Sequence, residues 1–530
     1  MGYIISENRN QATLFPETIE EYVTENNPVR VIDAFVNNLD LSNAGFENTV
    51  PAREGRPSYD PRLLLKLYIY GYFNKIRSSR KLMAECGRNV EVMWLICKLI
   101  PDFRTIADFR KNNAKALKNV FRAFVKVCLD LNLYTRELIA IDGSKFRAVN
   151  SKDNNVTISK LEDKIKRIEK NVNEYLEELD KYDKNEDNTK DPTKKELKEK
   201  LEIIQQRKDK YNEYLKEMKE NKETQKSFVD PESRLMKTHS GGFEVCYNVQ
   251  TSVDAGNHMI VDFDVTNNCN DLGLLFDGAE RAKEALKIEI LEVVADKGYE
   301  SKEDILKCLN NGIIPNVALK NYATECEIEI PYKESEITEE MINSTKPEHI
   351  QKCLEAGVLP TVYINKNIEI EVVEVNKNGP SERCFTLNED AKSVTCPEGM
   401  ILKKSAYLNN KSLTRFAGRS ACRNCINKCT TAVFKQVDLK AGQNKLFIRG
   451  FNIKERKVLI KLKPDKQKLK KRKCVVEHPF GTIKRWCDGS YVLMKSKIKA
   501  NADLSLSFLA YNMKRAIKII GVERLLEEMG

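Results

Sequence analysis

The chain has 530 residues, 41% of them hydrophobic, so it can form several domains with cores that need no disulfide bonds. Lys and Arg number 89 against 78 Asp and Glu, and the resulting net charge of +11 points to an anionic partner only where the cations cluster. The N-terminal segment lacks a signal-peptide pattern, and no apolar run reaches the about 20 residues that span a membrane. We therefore expect a cytoplasmic protein with no membrane partner.

Residues 1–132 are predicted to be helical. Asp60-Pro61, Ser78-Ser79 and a capping box at Thr105 and Asp108 indicate three consecutive helix starts. We interpret this region as a DNA-binding domain of the helix-turn-helix kind, and the alternative is a helical bundle with solvated basic faces. The cations expected to assist DNA contact are Arg77, Arg80, Lys81, Arg104, Arg110 and Lys111.

A short strand and a long helical hairpin are predicted next. The apolar run LIAIDGSKF predicts a buried strand with Asp142 at its tip. From residue 158 to 218, apolar residues recur at spacings of three and four, interrupted by the polar segment KNEDNTKDPT. Because the two halves match in length, residues 158–228 are predicted to form an inserted intramolecular coiled-coil hairpin, rather than a dimerisation or DNA-contacting segment.

The segments that follow predict an α/β core. Strand signals in CYNVQTSVD, HMIVDFDVT, LEVVADKGY and GIIPNVALK alternate with two helical stretches. This order predicts a mixed sheet covered by helices, formed by residues 133–320 and 451–530, with ligands bound at the strand ends. Residues 321–450 carry alternating runs that predict a mostly β insertion.

Three carboxylates are the candidate catalytic residues. Asp142 and Asp296 end neighbouring apolar strands, and two such acids repel each other unless a divalent cation such as Mg²⁺ (or Mn²⁺) lies between them. Glu477, in VVEHPFGTIKRW, follows a tract with eleven Lys or Arg and two acids between Lys454 and Lys473, which is typical of phosphate binding. Three carboxylates can hold two metal ions for phosphoryl transfer.

At this point the chain resembles the bacterial insertion-sequence transposases of the DDE class, and within them the insertion sequence eleven-eighty-two group. The resemblance covers nearly the whole chain. It rests on FRTIADFRKNN, IDGSKFRAVNSKDNN, RLMKTHSGGFEVCYNVQTSVD, VADKGYES, CPEG, CRNC, VEHPFGTIKRW and LAYNMKR. It implies a ribonuclease-H-like catalytic core, a domain inserted between the second aspartate and the glutamate, and a catalytic triad of Asp142, Asp296 and Glu477.

The resemblance also implies which cations contact DNA. Related transposases carry a tyrosine and an arginine before the glutamate and a lysine seven residues after it. Lys484 fits the last position, whereas Lys470 and Lys473 occupy the first two, and Lys473 lacks the two-pronged grip of arginine on phosphate. Arg472 could substitute. His478 either supports the metal site or packs beside the helix. The predicted DNA-binding residues are Lys470, Lys471, Arg472, Lys473, Lys484 and Arg485.

A cysteine cluster predicts a structural zinc site. Cys422, Cys425 and Cys429 have the close spacing of zinc ligands, and Cys396 in CPEG would be the fourth. Cys384 is a competing fourth ligand. The alternative is a reduced cluster without metal.

Together these features predict a DNA transposase that cuts the terminal inverted repeats of its element and joins them to target DNA, acting as a homodimer on DNA. One rival is a nuclease that hydrolyses DNA without joining it. A second is a non-catalytic repressor derived from a transposase, and a purely structural coiled-coil protein is a third.

Overall fold

The computed structural model describes residues 18–47, 49–50, 57–150, 155–184, 192–221, 223–238, 241–321, 323–377, 380–408, 413–425, 433–440, 442–449, 453–486 and 489–529. The chain divides into two compact units. The first unit combines Met1–Cys326, Thr345–Ile350 and Lys463–Gly530, and the second combines Glu327–Ser344 and Gln351–Leu462.

The N-terminal part of the first unit is helical, as predicted. Side-chain caps define its helix starts: Asn27 accepts a hydrogen bond from the amide of Val29, and Asp60 from that of Arg62. The capping box predicted at Thr105 and Asp108 is wrong, because both lie inside a helix capped by Asp102. The helices are α1 (Pro28–Asn37), α2 (Pro61–Phe73), α3 (Ser79–Cys86), α4 (Val90–Leu95), α5 (Phe103–Asn112) and α6 (Ala114–Asp130).

A mixed sheet follows, interrupted by two long helices. The elements in chain order are β1 (Ile139–Arg147), β2 (Asn155–Thr157), α7 (Ile158–Lys184), α8 (Pro192–Glu220), β3 (Gln225–Ser227), β4 (Arg234–Lys237), β5 (Phe243–Asp254), β6 (Ile260–Thr266), α9 (Leu275–Leu286), β7 (Leu291–Ala295), α10 (Lys302–Asn310) and β8 (Ile313–Val317). Within the described residues the sheet order is β4-β5-β1-β7-β8, with β6 also paired to β5. Strands β1, β7 and β8 run parallel, and β5 is antiparallel to β1.

The predicted helical hairpin is present as α7 and α8. At its base β2 pairs with β3, and Val156, Leu161, Ile165 and Met218 form a small apolar cluster there. The proline at the break, Pro192, is the first residue of α8, where its missing N–H costs no helical hydrogen bond.

The next segment supplies most of the second unit. Its elements are β9 (Cys326–Pro331), α11 (Glu339–Ile342), α12 (Pro347–Glu355), β10 (Ile368–Lys377), β11 (Pro380–Leu387), β12 (Ser393–Thr395), β13 (Ile401–Leu408), β14 (Leu413–Ala417), α13 (Arg419–Arg423), β15 (Gln436–Lys440), β16 (Lys445–Arg449) and β17 (Ile453–Leu462). The described strands form one sheet in the order β10-β17-β9 and another in the order β15-β14-β13-β12-β11-β16. Phe385, Val394, Leu402 and Phe416 are buried in the core of the latter.

Three helices complete the first unit: α14 (Lys466–Gly481), α15 (Lys497–Ile520) and α16 (Val522–Met529). Helix α15 is buried along most of its length and packs on α2 and α6. Its fully buried Asp503 pairs with Arg77 at 2.9 Å and with Arg110 at 3.6 Å. Those two arginines were expected to assist DNA contact; both are buried, so they stabilise the interior instead. Within the described ranges no helix is both long and apolar enough to cross a membrane.

Candidate active site

The sheet sets Asp142 and Asp296 side by side. In the parallel pairing of β1 with β7, Ile139 lies opposite Val293 and Ala140 opposite Val294. The same offset, continued by two residues, sets Asp142 level with Asp296. Strand β1 extends beyond Asp142 to Arg147, so this aspartate lies within the strand, not at its tip as the sequence suggested. Asp142 instead lies level with the position just past the end of the neighbouring strand β7, and there it lines a cavity.

Glu477 reaches the same cavity from α14. This helix is capped by Asp465, whose carboxylate accepts hydrogen bonds from the amides of Gln467 and Lys468, and Lys468 pairs with Glu292 of β7. All three predicted catalytic acids, Asp142, Asp296 and Glu477, line a cavity of about 1260 Å³. Glu477 is the outermost, with 64% of its side chain exposed and its carboxylate 3.9 Å from Lys473.

The three acids do not close around a common point. Among the described residues, no group of three or more acidic, histidine or cysteine side chains is close enough to enclose a metal ion. The charged groups with the largest influence on the Asp142 carboxylate are Arg472, Asp296 and Asp271. The acids near the carboxyl end of β7 are therefore Asp142, Asp296 and Asp271, whereas Glu477 lies at the exposed rim of the cavity.

The surroundings of Asp142 disfavour its ionised form. Burial, together with the negative charges of Asp296 and Asp271, raises the pKa of Asp142 to about 7. Arg472 opposes this rise with its Nη1 3.7 Å from Asp142 Oδ2, and the amide of Gly143 donates to Oδ1 at 3.0 Å. Carboxylates crowded in this way are stabilised by a cation.

Asp271 is an acid of this cavity that the sequence reasoning missed. It lies between β6 and α9 in the polar segment NNCNDLG, which has the pattern of an ordinary loop. Its Oδ1 accepts hydrogen bonds from Asn248 Nδ2 at 2.7 Å and from Gln250 Nε2 at 2.8 Å. Tyr299, which follows Asp296 in the chain, donates its hydroxyl hydrogen to Gln250 Oε1. One hydrogen-bonded chain thus links Asp271, strand β5 and the turn after Asp296.

Gly143 and Gly298, which follow Asp142 and Asp296 in the chain, show how closely the Asp271 side chain approaches these two aspartates. A Cβ atom placed on Gly143 would lie 2.4 Å from both Asp271 Oδ1 and Gln250 Nε2, and 3.0 Å from Asn248 Oδ1. A Cβ on Gly298 would lie 2.9 Å from Asp296 Oδ1 and 3.7 Å from Asp271 Oδ2. Asn248 is fully buried, and its Oδ1 has no hydrogen-bond partner in the described part of the chain. A buried acceptor beside clustered carboxylates is a donor set that suits Mg²⁺ or Mn²⁺, which prefer oxygen ligands.

Four of the six predicted DNA-binding cations line the cavity: Arg472, Lys473, Lys484 and Arg485. Lys470 and Lys471 lie exposed on α14 and do not line it. Lys484 points inward, donating to Ser144 Oγ at 2.7 Å and to the Lys145 carbonyl oxygen at 2.6 Å. These two hydrogen bonds tie the lysine to β1. Burial lowers the pKa of Lys484 to about 8.

His478 lies apart from the acids. Its Nδ1 is 2.8 Å from the Tyr511 hydroxyl, which donates at 2.6 Å to the carbonyl oxygen of His258. The rings of His258 and His478 are 5.4 Å apart, and burial lowers the pKa of His478. The contacts of this histidine are those of a residue packed against α15, which agrees with the second of the two roles considered for it.

The predicted zinc ligands belong to the second unit, and Cys429 lies outside the described residues. Cys396 is buried, and its Sγ accepts a hydrogen bond from the amide of Met400 at 3.3 Å. Cys422 Sγ likewise accepts from the amide of Lys435 at 3.4 Å. Amide donors directed at sulfur favour the thiolate form that binds zinc. The competing Cys384 has its Sγ 3.6 Å from the Thr386 hydroxyl.

Comparison with known proteins bears on the N-terminal helices. Residues 17–112 match the family model described as Transposase domain (DUF772). The match covers less than a fifth of the chain, comprises α1 to α5 and includes none of the acids of the cavity. No curated protein matches the chain.

A search of solved structures found the cryo-EM structure of a piggyBac transposase synaptic complex with hairpin DNA. The two chains are 9% identical, with a TM-score of 0.30 over 96% of this chain and 79% of that one. A similarity this low supports no argument about fold or activity.

Proposed function

We propose that this protein is a DNA transposase of the DDE class, with Asp142, Asp296 and Glu477 as its catalytic acids. The observation that carries the proposal is the level placement of Asp142 and Asp296 past the end of β7, in a cavity also lined by Glu477 and by four cations of the basic segment 472–485. The transposase-domain match of residues 17–112 supports the same function.

The core is proposed to be ribonuclease-H-like. Five of the six described strands of this sheet, numbered by chain order as β1, β5, β6, β7 and β8, give the order third-second-first-fourth-fifth, and the sixth, β4, also pairs with β5. The second is antiparallel to the first, whereas the fourth and fifth are parallel to it. This arrangement supports the proposed core, in which Asp142 lies within the first strand and Asp296 directly follows the fourth.

Each part of the cavity has a role in the proposed reaction. Asp142, Asp296 and Glu477 would hold divalent ions, Mg²⁺ or Mn²⁺, which when bound stabilise the charge that builds up on phosphate during transfer. Arg472, Lys473 and Arg485 bind the phosphates of the DNA ends and orient the scissile bond. Asn248 and Gln250 hold the segment of Asp271, and Gln250 also holds the turn after Asp296. Because no side chain is needed as a covalent nucleophile, the same site can serve cleavage and joining.

The proposal includes partners that the cavity alone does not define. DNA carrying the terminal inverted repeats would be the first substrate and target DNA the second. A homodimer is proposed by analogy, because two ends must be brought together before joining. A structural zinc ion would be held by Cys396, Cys422, Cys425 and Cys429, bracing the second unit.

The test begins with the nucleotide sequence that flanks the reading frame, which should contain inverted repeats. Duplexes with those repeats are then incubated with the wild-type protein and with Asp142→Asn, Asp296→Asn and Glu477→Gln. Each variant should lose strand cleavage while still shifting the duplex in a gel, and retained cutting by any of them removes that residue from the triad. Asp277→Asn and Glu523→Gln, on exposed positions of α9 and α16, are matched controls that should retain activity.

Pre-cut ends supplied with a plasmid separate the proposal from its nuclease rival. A transposase yields plasmid joined to the element end, whereas a nuclease yields only nicked or shortened DNA. Full-length protein that binds the ends but neither cuts nor joins them would identify a repressor.

A further inference from the structure

Asp271 is the acid that lies nearest to both strand-end motifs. Its Oδ1 borders the position that a Cβ on Gly143 would take, at 2.4 Å, and its Oδ2 is 3.7 Å from the corresponding point at Gly298. It lines the same cavity as Asp142 and Asp296, and Glu477 lines that cavity from its exposed rim.

The fold holds Asp271 in this position by buried amides. Asn248 and Gln250, 0% and 3% exposed, both donate to the same carboxylate oxygen. Two donors on one oxygen fix the side-chain rotamer. The fold thus places a third carboxylate in the cavity of Asp142 and Asp296, although a neutral asparagine could accept the same hydrogen bonds.

A second observation points to what the extra charge attracts. The Oδ1 atom of fully buried Asn248 has no hydrogen-bond partner among the described residues and is directed at Gly143, beside the acids. The Nζ of Lys145 lies 3.8 Å from Asp271 Oδ1 and supplies part of the counter-charge to this carboxylate. Leaving a buried polar group unpaired is costly, so such groups concentrate where a ligand belongs.

We propose that Asp271 is a positioning residue of the metal-binding end of this site, which raises its affinity for divalent cations by its fixed charge and, through Gln250 and Tyr299, holds β5 to the turn after Asp296. This inference rests on the proposed function, because that function assigns divalent cations to Asp142 and Asp296. The cation class is the hard, oxygen-binding one, Mg²⁺ or Mn²⁺.

The test measures binding of Mn²⁺ alone to the full-length protein, by the electron paramagnetic resonance signal of free Mn²⁺, without DNA. Asp271→Asn keeps the shape of the side chain and its acceptor oxygen but removes the charge. It should weaken Mn²⁺ binding about tenfold or more, as expected for a residue that supports metal ligands from outside. Asp277→Asn, which makes the same change six positions later on the exposed side of α9, should leave the affinity unchanged.

The outcomes separate this inference from the proposed function. If the wild type binds Mn²⁺ and Asp142→Asn abolishes binding, the metal site stands, and equal affinity of wild type and Asp271→Asn then overturns the role of Asp271. If the wild type binds no Mn²⁺ at any concentration tested, the proposed function itself fails. Should thermal unfolding show that Asp271→Asn is not folded, Asp271→Ser takes its place, with the same loss expected and unchanged affinity as the contrary result.

Discussion

Replacing Arg472 by glutamine should tighten the binding of divalent cations in the absence of DNA. The guanidinium lies 3.7 Å from Asp142 Oδ2, and the two side chains are only 19% and 24% exposed. At an effective dielectric constant of about 20, a pair at this distance has a Coulomb energy of about 4 kcal/mol. Desolvation offsets much of that energy, and we take about 1–2 kcal/mol as the net competition that a metal ion must overcome.

A change of about 1–2 kcal/mol corresponds to a factor of roughly 5–30 in affinity. The assay titrates full-length Arg472→Gln with Mn²⁺ and measures the free ion. Since Arg472 also lowers the pKa of Asp142, its removal favours protonation of that acid, and protons would then compete with the metal. The titration is therefore performed at increasing pH, and the two proteins are compared where their affinities no longer change with pH.

Two controls make the result specific. Arg472→Lys keeps the positive charge and should change the affinity less than Arg472→Gln does. Lys466→Gln removes a cation from the exposed first turn of the same helix and should leave the affinity unchanged. Unchanged or weaker Mn²⁺ binding by Arg472→Gln would refute the competition between this guanidinium and the metal.

Three further predictions concern pH, buried charge and the cysteines. The pKa of Asp142 is raised from its ordinary value of 3.8 to about 7 in the folded chain. At a pH between these two values, the folded chain keeps a proton on Asp142 that the unfolded chain has released. The free energy of unfolding of metal-free protein should therefore fall by roughly 2–4 kcal/mol as the pH rises from about 4 to about 7. Urea unfolding of Asp142→Asn should lack this fall, and an identical fall would assign it to other groups. Asp503→Asn leaves Arg77 and Arg110 buried without their counter-charge and should cost about 3–5 kcal/mol in urea unfolding, whereas a cost near zero would mean that the arginines find other partners. Elemental analysis should find one zinc ion per chain; Cys396→Ser and Cys422→Ser should lose it and lower the melting temperature, while Cys97→Ser, at an exposed cysteine, should not. If wild-type protein contains no zinc and the two cysteine variants melt at the same temperature as the wild type, the cysteines form a reduced cluster without metal.

The sequence predicted secondary structure best where the pattern within a single strand or helix is sufficient to define that element. The run that ends at Asp296 predicts a short buried strand, and β7 ends one residue before that acid. The spacing of apolar residues around Leu161 and Met218 predicts the two hairpin helices, because the pattern follows from helical geometry alone. Such signals are local, and the structure adds little to them.

The sequence was misleading where a distant partner decides the role of a residue. Arg77 and Arg110 resemble surface cations near helix ends, yet Asp503 of α15 neutralises both inside the protein. Asn248 and Gln250 are polar, yet both are buried because their strand, β5, lies inside the sheet. Asp271 depends on those two amides, so nothing in its own segment could have identified it.

The glycines beside the acids carry information that their local pattern conceals. An Asp-Gly pair usually indicates a turn, yet Gly143 lies within β1, which continues to Arg147. In the interior of a strand, glycine often marks the close approach of another part of the chain. At Gly143 the approaching groups are the side chains of Asp271 and Gln250, which a Cβ would meet at 2.4 Å. Any side chain at this position would therefore displace the amide-held acid from the two strand-end aspartates, and so the glycine is required by the same crowding of carboxylates that a divalent cation would relieve.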